Sequence, residues 1–371
     1  MPTSPAAGAR LERVHASPQF RDGRFHNPEA GIPRGRYSGD GTMIGEFFFG
    51  GRKRVPPGPL PVESPLEAWQ RAPGNDLRIT WLGHSTTLIE SGGLRVLTDP
   101  VFGDRVGPVS FAGPRRYHPV PVTIAQLPPL DAILVSHDHF DHLCKPSMLE
   151  LAKLGVPVIT SLGVGARLER FGVQTFTELD WWERHVLAGG DLAFTAVPAH
   201  HFSGRSLTDR NRTLWSSWVI QTPRHQVFFS GDTGPHAGFR TIGERFGGFD
   251  VTMLEIGAWN PAWADIHLGP AAALQAFDEL GGGTLLPIHW GTFDLGLHPW
   301  AEPAEQLFEL AHQSGARFVT PTLGRPFLPA HADAPAPWWR DVDQRAAQNA
   351  AAHAPPGPLQ ASPAAHARKH G

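Results

Sequence analysis

The sequence has one cysteine among its 371 residues, Cys144. An intrachain disulfide needs two cysteines and a zinc-finger cage needs several, so both are excluded. A metal ion bound by this chain therefore has to be held by histidine and carboxylate side chains. Histidine is abundant, with 20 residues.

Long apolar runs and charge imbalance are also missing. No stretch reaches the roughly 18 uninterrupted apolar residues of a membrane-spanning helix, and the lack of an apolar signal segment predicts a cytoplasmic protein. With a formal net charge of −3, the chain has no general attraction to nucleic acid. We expect no nucleic-acid partner and at most peripheral membrane contact, for which residues 45–50 (GEFFFG) are the candidate segment.

Composition divides the chain into three parts. Residues 1–75 are rich in Pro, Gly and Arg without a sustained period, which predicts an N-terminal arm that packs on a catalytic domain over 76–329. Residues 330–371 are rich in Ala, Pro and His, which predicts a mostly disordered tail. The tail has two aromatic anchors, Trp338 and Trp339.

Apolar patterning and turn residues predict mixed strands and helices in the middle part. A hairpin comes first, with its turn at Ser91-Gly92-Gly93. The predicted strands cover residues 77–82, 86–90, 94–98, 131–136, 193–197, 215–221, 226–230, 251–256, 284–288 and 317–320. The predicted helices cover residues 146–154, 236–246, 269–280 and 303–314. Two comparable halves of this kind predict an α/β sandwich, with two sheets inside and helices outside.

The strongest chemical signal is the segment SHDHFDH at residues 136–142, directly after a predicted buried strand. His137 and His139 stand at i and i+2, so both lie on one side of an extended segment and can reach one ion. Asp141 and His142 can turn toward a second ion. One short loop thus provides the beginning of two metal sites.

Each ion needs further ligands, and His201, Asp232 and His289 follow other predicted strands. The two oxygens of a carboxylate suit a bridge between cations, and imidazole nitrogens suit zinc or iron. Unrelated surface histidines and a turn aspartate are the alternative interpretation. The cluster with three spaced partners favours two divalent metal ions, with zinc expected and iron or manganese as alternatives.

These motifs are similar to the metal motifs of the metallo-β-lactamase superfamily. Within it the chain resembles the N-acylphosphatidylethanolamine-hydrolysing phospholipase D group, over residues 77–328. The narrower resemblance rests on six segments: TWLGH (80–84), LTDP (97–100), GPRR (113–116), LDWWE (179–183), LWSSW (214–218) and IHWGTF (288–293). It implies a four-layer αββα sandwich and a homodimer.

The resemblance also implies how the ligands are shared. One ion would be held by His137, His139 and His201. The other would be held by Asp141, His142 and His289, with Asp232 between the two. His201 is preferred to His200 because the family pattern, read back from LWSSW, places the ligand there.

Two neighbouring cations lower the pKa of a shared water and polarise a phosphoryl or carbonyl oxygen. The expected protein is a dimetal hydrolase that uses a metal-bound hydroxide, and the resemblance implies a small-molecule or lipid phosphodiester as substrate. A lactone, amide or ester hydrolase on the same site is an open alternative. A metal-binding sensor without turnover is the second alternative.

Asp141 and His267 are the candidate catalytic residues. His267 would protonate the leaving alkoxide, since the family carries a histidine there; a structural histidine is the alternative. The chain departs from the family pattern just after His267: relatives carry an acidic residue before the proline, whereas this chain reads His267-Leu268-Gly269-Pro270. The orientation of His267, or the capping of the following helix, is therefore expected to differ.

Two polar residues after predicted strands are further candidates. Asp99 would accept an N–H from a metal-binding histidine and fix its tautomer, or would only form the turn before Pro100. His84 either lines the pocket or is structural.

Substrate contacts are assigned to four residues near the motifs. Trp259 and Trp263 are close in sequence to His267 and would touch the substrate. Arg115 and Arg116 would bind a phosphate, or would be solvated surface charges.

Overall fold

The computed structural model describes residues 5–28, 53–109, 111–187 and 189–352. The apolar segment 45–50, the candidate for lipid contact, lies outside the described residues. Over the described ranges, no helix is both long enough and apolar enough to cross a membrane.

The strands and helices follow in chain order. The strands are β1 Phe20–Arg21, β2 Arg24–Phe25, β3 Leu77–Gly83, β4 Thr86–Ser91, β5 Leu94–Thr98, β6 Ala132–Val135, β7 Val158–Ser161, β8 Phe176–Leu179, β9 Arg184–Val186, β10 Ala193–Val197, β11 Ser217–Gln221, β12 Gln226–Phe229, β13 Val251–Glu255, β14 Thr284–Ile288 and β15 Pro326–Phe327. The α-helices are α1 Pro5–Ala16, α2 Leu66–Trp69, α3 Lys145–Leu151, α4 Gly165–Arg170, α5 Gly238–Phe246, α6 Gly269–Glu279, α7 Glu302–Ser314 and α8 Trp338–Ala352.

Two large sheets are formed, with the orders β15-β3-β4-β5-β6-β7-β8 and β14-β13-β12-β11-β10-β9. In the first sheet β3, β5 and β6 run in one direction, because β4 is antiparallel to both neighbours and β6 is parallel to β5. In the second sheet β10, β12, β13 and β14 share one direction, because β11 is antiparallel to β10 and β12, and β13 and β14 continue parallel to β12. The carboxyl ends of these strands therefore meet at one edge of each sheet.

The predicted hairpin is present between β4 and β5. Ser91 pairs with Leu94, and the two turn residues Gly92 and Gly93 have φ of 59° and 87°. A two-residue turn with positive φ at both positions matches the twist of the flanking strands, and glycine adopts it without steric cost. This turn fixes the register of β5, at whose end Asp99 lies.

The layers are held together by apolar side chains that alternate along the strands. Ile79 and Ile89 of the first sheet belong to the same buried cluster as Phe194 and Trp218 of the second, which forms the core between the sheets. On the other face of the first sheet, helices α3 and α4 cover a second cluster that includes Leu88, Leu97, Ile133, Met148 and Leu168. The mixed α/β architecture with helices outside two sheets agrees with the expected αββα sandwich.

Both ends of the described chain are more ordered than composition indicates. The predicted arm contains helix α1, which its irregular composition did not indicate. Helix α8 lies in the tail that was predicted to be mostly disordered, and this prediction is wrong for residues 338–352. Trp338 and Trp339 are buried in the core as anchors, and Val342 joins them one turn later. Burial of this apolar face offsets the conformational entropy that the segment loses when it becomes ordered, which the Ala-rich remainder could not offset.

The predicted strand over 317–320 is not formed as a strand. Phe318 makes only an isolated bridge to Leu285, with hydrogen bonds from Leu285 N to Arg317 O and from Val319 N to Leu285 O. Conversely, β7, β8 and β9 were not predicted, because each is only three or four residues long and gives too short an apolar pattern to separate strand from loop.

Candidate metal centre

Three strand ends beside the candidate ligands carry backbone strain. The first residue after β3, β5 and β14 has a positive φ: His84 at 53°, Asp99 at 31° and His289 at 64°. Such a conformation costs a non-glycine residue on the order of 1–3 kcal/mol and persists mainly at functional sites. The strained turns are also joined, since the N–H of His289 donates to the carbonyl of His84 at 3.0 Å.

The first group of ligand atoms comes from His137, His139, His201 and Asp232, which all lie within 4.8 Å of one another. His139 Nδ1 lies 2.8 Å from His137 Nε2 and 3.2 Å from His201 Nε2. Asp232 Oδ2 lies 3.6 Å from His201 Nε2 and 3.9 Å from His137 Nε2. Three imidazole nitrogens and one carboxylate oxygen thus converge on one point, as a tetrahedral metal site requires.

The second group comes from His84, Asp141, His142 and His289. Asp141 Oδ2 lies 3.0 Å from His84 Nε2, 3.4 Å from His289 Nε2 and 3.5 Å from His142 Nε2. The other oxygen of Asp232, Oδ1, lies 3.1 Å from His142 Nε2 and 3.2 Å from His289 Nε2. Asp232 therefore faces each group with one oxygen, which is the orientation of a bridging carboxylate.

Three atoms at this point are buried without a hydrogen bond of acceptable geometry: Asp232 Oδ1, His142 Nε2 and His289 Nε2. These atoms point toward one another but do not form hydrogen bonds among themselves. Buried polar groups in proteins normally have a hydrogen-bond partner. Divalent cations would satisfy all three at once. The donor set of imidazole and carboxylate suits zinc or iron, so the residues present fit two metal ions.

The charges of the centre also call for a cation. The carboxylates of Asp99, Asp141, Asp232 and Glu255 lie inside it, and their ion pairs within the described chain are with histidines alone. Burial raises the pKa of Asp232, but the neighbouring His142 and His289 outweigh this effect and hold it well below its usual value.

The histidines of the two groups differ in their electrostatics. Burial, together with the neighbouring imidazoles, holds the pKa of His137 and His201 well below the usual value. Burial also lowers the pKa of His142, but the charges of Asp232, Asp141 and Asp99 outweigh it and raise the pKa well above its usual range. Neutral imidazole, the form that binds metal, is thus favoured at His137 and His201, whereas the carboxylates around His142 favour positive charge at that residue.

Hydrogen bonds behind the ligands orient their rings. Asp99 Oδ2 accepts the Nδ1–H of His142 at 2.6 Å, and Asp99 Oδ1 accepts the N–H of Ser136 at 2.7 Å. His201 Nδ1 donates to the carbonyl of Ile266 at 2.8 Å. In each case the bonded Nδ1 leaves Nε2 to face the centre, which fixes the tautomer that a metal needs.

His267 is held by Glu255, a residue that the sequence reasoning missed. His267 Nδ1 donates to Glu255 Oε2 at 2.7 Å, and Glu255 Oε1 accepts the backbone N–H of Thr233 and of Leu268 at 3.0 and 3.2 Å. Burial lowers the pKa of His267, but Glu255 outweighs it and the net shift is upward. The N-cap residue Leu268 offers no side-chain hydrogen bond to helix α6, and Glu255 instead holds the backbone N–H of Leu268 itself.

Glu255 and Asp138 could have been found from local signals. Glu255 is an ionisable residue at the end of the apolar strand VTMLE and is fully buried. Asp138 was given no role within the histidine motif, yet its carboxylate accepts the N–H of Gly204 at 2.8 Å and pairs with Arg167 at 3.3 Å. A buried acidic side chain needs a hydrogen-bond or charge partner. An acidic residue at the end of an apolar strand, or inside a motif after one, therefore indicates a polar network around it.

Both arginines proposed for phosphate binding have other partners. Arg116 is buried, donates to the carbonyls of Val101 and Gly103 and stacks over the ring of Phe293 at 4.8 Å. Burial lowers its pKa to about 10. Arg115 is exposed and pairs with Asp104 at 3.0 Å. Arg116 is therefore a packed side chain, and the surface-charge alternative describes only Arg115.

Trp259 and Trp263 lie on the loop between β13 and α6, and both are partly buried. The indole of Trp263 donates to the carbonyl of Ala258 at 2.7 Å. The ring of Trp259 covers Gly269, where an added Cβ would approach it to 2.3 Å. Gly269, which has φ of 63° and follows His267 by two residues in the sequence, thus leaves room for the ring of Trp259. Substrate contact by either tryptophan remains a prediction.

Comparison with known proteins agrees with this geometry. Residues 94–290 match the model of the β-lactamase superfamily domain. The chain is 40% identical to an uncharacterized protein of Mycobacterium tuberculosis over 352 residues, which cover 91% of this chain and 92% of that protein. It is 35% identical to N-acyl-phosphatidylethanolamine-hydrolyzing phospholipase D 1 of Caenorhabditis elegans over 289 residues, 73% of this chain and 81% of that one.

A solved structure shows the same fold. A metallo hydrolase from the archaeon Ignicoccus hospitalis superposes with a TM-score of 0.54 at 20% identity and covers 68% of this chain and 97% of its own. The family match, the two sheets and the two histidine–aspartate groups point to one conclusion. The chain belongs to the metallo-β-lactamase superfamily of metal-dependent hydrolases and resembles its N-acylphosphatidylethanolamine-hydrolysing phospholipases D.

Proposed function

We propose that this chain is a dinuclear phosphodiesterase that hydrolyses a phospholipid diester, in the manner of a phospholipase D. The observation that carries the proposal is the position of Asp232 between two ligand groups, with Oδ1 facing His142 and His289 and Oδ2 facing His201 and His137. Such a paired site suits in-line displacement at phosphorus, where charge develops on both the attacking and the leaving oxygen.

The residues that would hold the two cations follow from the two groups. One cation would be held by His137, His139 and His201, the other by Asp141, His142 and His289, with Asp232 shared. When bound, two such cations lower the pKa of a water molecule and polarise a phosphoryl oxygen. His84, expected to be a pocket or structural residue, would hold Asp141 in place through its Nε2 contact at 3.0 Å.

The reaction joins a water oxygen to phosphorus and breaks the bond between phosphorus and the alcohol oxygen. The departing alcohol oxygen needs a proton. His267 would supply it from Nε2, because Nδ1 is engaged by Glu255 at 2.7 Å. Its ring lies 5.1 Å from that of His201 and 5.5 Å from that of His289, between centroids, so it stands beside both ligand groups.

The substrate class is proposed from the relative that cleaves such a lipid. A phospholipase D of Caenorhabditis elegans, named for hydrolysing N-acyl-phosphatidylethanolamine, is 35% identical over 81% of its own length. On this proposal the products are phosphatidic acid and an N-acylethanolamine. Zinc as the metal, a homodimer, a cytoplasmic location and peripheral contact with a lipid surface belong to the same proposal.

The test combines metal content with a choice of substrates. We expect wild-type protein to contain about two metal ions per chain and to cleave bis(p-nitrophenyl) phosphate and N-acylphosphatidylethanolamine. Asp232→Asn should lose at least one metal and the diester cleavage with it. Asp278→Asn is the matched control, because Asp278 is exposed on helix α6.

Each other result has a definite meaning. Turnover of p-nitrophenyl esters alone would replace the phosphodiesterase by a lactone, amide or ester hydrolase on the same centre. Two bound metals without any turnover would identify a metal sensor. Wild-type protein that binds no metal after reconstitution with zinc, iron or manganese would end the proposal.

A further inference from the structure

A tight turn in the N-terminal segment brings the chain beside the candidate metal centre. Strands β1 and β2 pair antiparallel, and the turn residues Asp22 and Gly23 have φ of 53° and 73°, as an Asp-Gly hairpin turn requires. Phe25 then enters a buried cluster with Leu162 and Trp215. The hairpin and this anchor fix the position of Asn27, two residues further along.

The side chain of Asn27 binds both backbone polar groups of His201. Its Nδ2 donates to the carbonyl of His201 at 3.0 Å, and its Oδ1 accepts the N–H of His201 at 3.0 Å. Trp215 Nε1 also donates to Oδ1, at 3.0 Å. Because two N–H donors meet this atom, it must be the oxygen, and the amide has a single orientation.

The side chain of Asn27 makes the backbone hydrogen bonds that a neighbouring strand or a helix would otherwise make with His201. His201 lies between β10 and β11, outside any helix or strand, so no strand ladder holds its peptide groups. The imidazole ring of His201 is held separately, by the hydrogen bond from its Nδ1 to the carbonyl of Ile266 at 2.8 Å. Asn27 thus fixes the main chain of His201, and Ile266 fixes its imidazole.

The same segment is attached to the rest of the chain at independent points. The N–H of Phe25 donates to the carbonyl of Asn211 at 2.8 Å. Helix α1 is attached by ion pairs of Arg10 with the buried Glu178 at 2.7 Å and of Arg13 with Glu183. These attachments hold the segment in place without contacting His201, so the contribution of Asn27 can be separated from them.

We propose that Asn27 is a positioning residue of the metal centre, which makes the N-terminal segment part of that centre. Its amide holds the backbone of His201 so that Nε2 meets the ligand atoms of His137 and His139. The proposal rests on the proposed function, because it takes His201 as a ligand. Groups that orient metal ligands from behind typically contribute tenfold to a hundredfold to metal affinity.

The experiment is a zinc titration of the full chain against a chromophoric chelator, with cobalt(II) absorption of the reconstituted protein as a second readout. Asn27→Ala should weaken one of the two metals by about tenfold to a hundredfold and leave the other unchanged. Asn27→Asp is isosteric but places an oxygen against the carbonyl of His201, so it should weaken the same metal by a similar factor. Arg13→Ala loosens the segment elsewhere and should leave both affinities at the wild-type value.

Wild-type affinity for both metals in Asn27→Ala would overturn the proposal. Equal losses in Asn27→Ala and Arg13→Ala would overturn it too, because the effect would then come from a loosened segment. If Asn27→Ala does not fold, Asn27→Asp decides by the same criterion. Wild-type protein that binds no metal in this titration would overturn the proposed centre itself, and the role of Asn27 with it.

Discussion

Glu255 binds His267 through a hydrogen bond of 2.7 Å between Oε2 and Nδ1, and both side chains are buried. The carboxylate accepts the Nδ1–H, so a proton given up at Nε2 comes from the doubly protonated ring, whose charge Glu255 stabilises. Glu255 is also the last residue of β13, so the sheet itself determines where His267 stands. The orientation of the candidate proton donor is thus set by a strand and not by its own loop.

Replacing Glu255 with Gln should therefore impair turnover more than folding. Gln keeps an oxygen for the N–H groups of Thr233 and Leu268, but it removes the negative charge of Glu255 that raises the pKa of His267 and so favours its proton-donating form. We expect kcat for the diester to fall by about tenfold to a hundredfold, with KM within about twofold and metal content unchanged. Steady-state kinetics with metal analysis measures this. Glu150→Gln, at an exposed position on α3, is the control, and an unchanged kcat in Glu255→Gln would contradict the assigned role.

Replacement of Asp99 should weaken the binding of only one of the two metals. Asn at this position tolerates the positive φ of 31° but no longer offers a charged acceptor to His142 Nδ1. We expect Asp99→Asn to weaken the metal held by the group of His142 by about tenfold to a hundredfold, while the group of His137 keeps its affinity. Metal titration of the variant decides the point, and equal weakening of both metals would contradict the assignment of ligands to two groups.

Removal of the metals should lower thermal stability. The buried carboxylates and imidazoles of the centre lose their counter-charges, and a ligand present at a hundred times its Kd stabilises the folded state by about 2.7 kcal/mol. For a chain of this size that corresponds to a fall in Tm of about 3–4 °C for each metal removed by a chelator. Differential scanning calorimetry measures the shift. Asp232→Asn should respond less to the chelator than wild type, and an identical Tm with and without chelator would count against a bound metal.

Helix α8 should contribute to stability although its sequence has a disordered composition. Trp339 is 1% exposed, and its Nε1 donates to Glu305 on α7 at 2.6 Å. Trp339→Ala should lower the free energy of unfolding by about 3–5 kcal/mol, measured by urea denaturation. Arg345→Ala on the exposed face of α8 should leave the midpoint unchanged, and a wild-type midpoint for Trp339→Ala would show that the helix is not part of the core.

The sequence by itself determined the superfamily, the layered α/β architecture and the ligand types. These follow from local information: His137 and His139 stand two residues apart on one strand end, and His201, Asp232 and His289 each follow an apolar strand. The hairpin of β4 and β5 was equally predictable, because Ser-Gly-Gly has few turn conformations that match strand twist.

Only the tertiary structure decided which residues meet. Asn27 reaches His201 across 174 positions and Asp99 reaches His142 across 43, and no periodicity encodes contacts of that range. A sequence also does not show that Arg116 is buried, and burial here gives it backbone carbonyls as partners. The direction of the two oxygens of Asp232 is likewise a property of two sheets meeting at one edge. The sequence therefore determined what the centre is made of, and the packing of the sheets determined how its parts face one another.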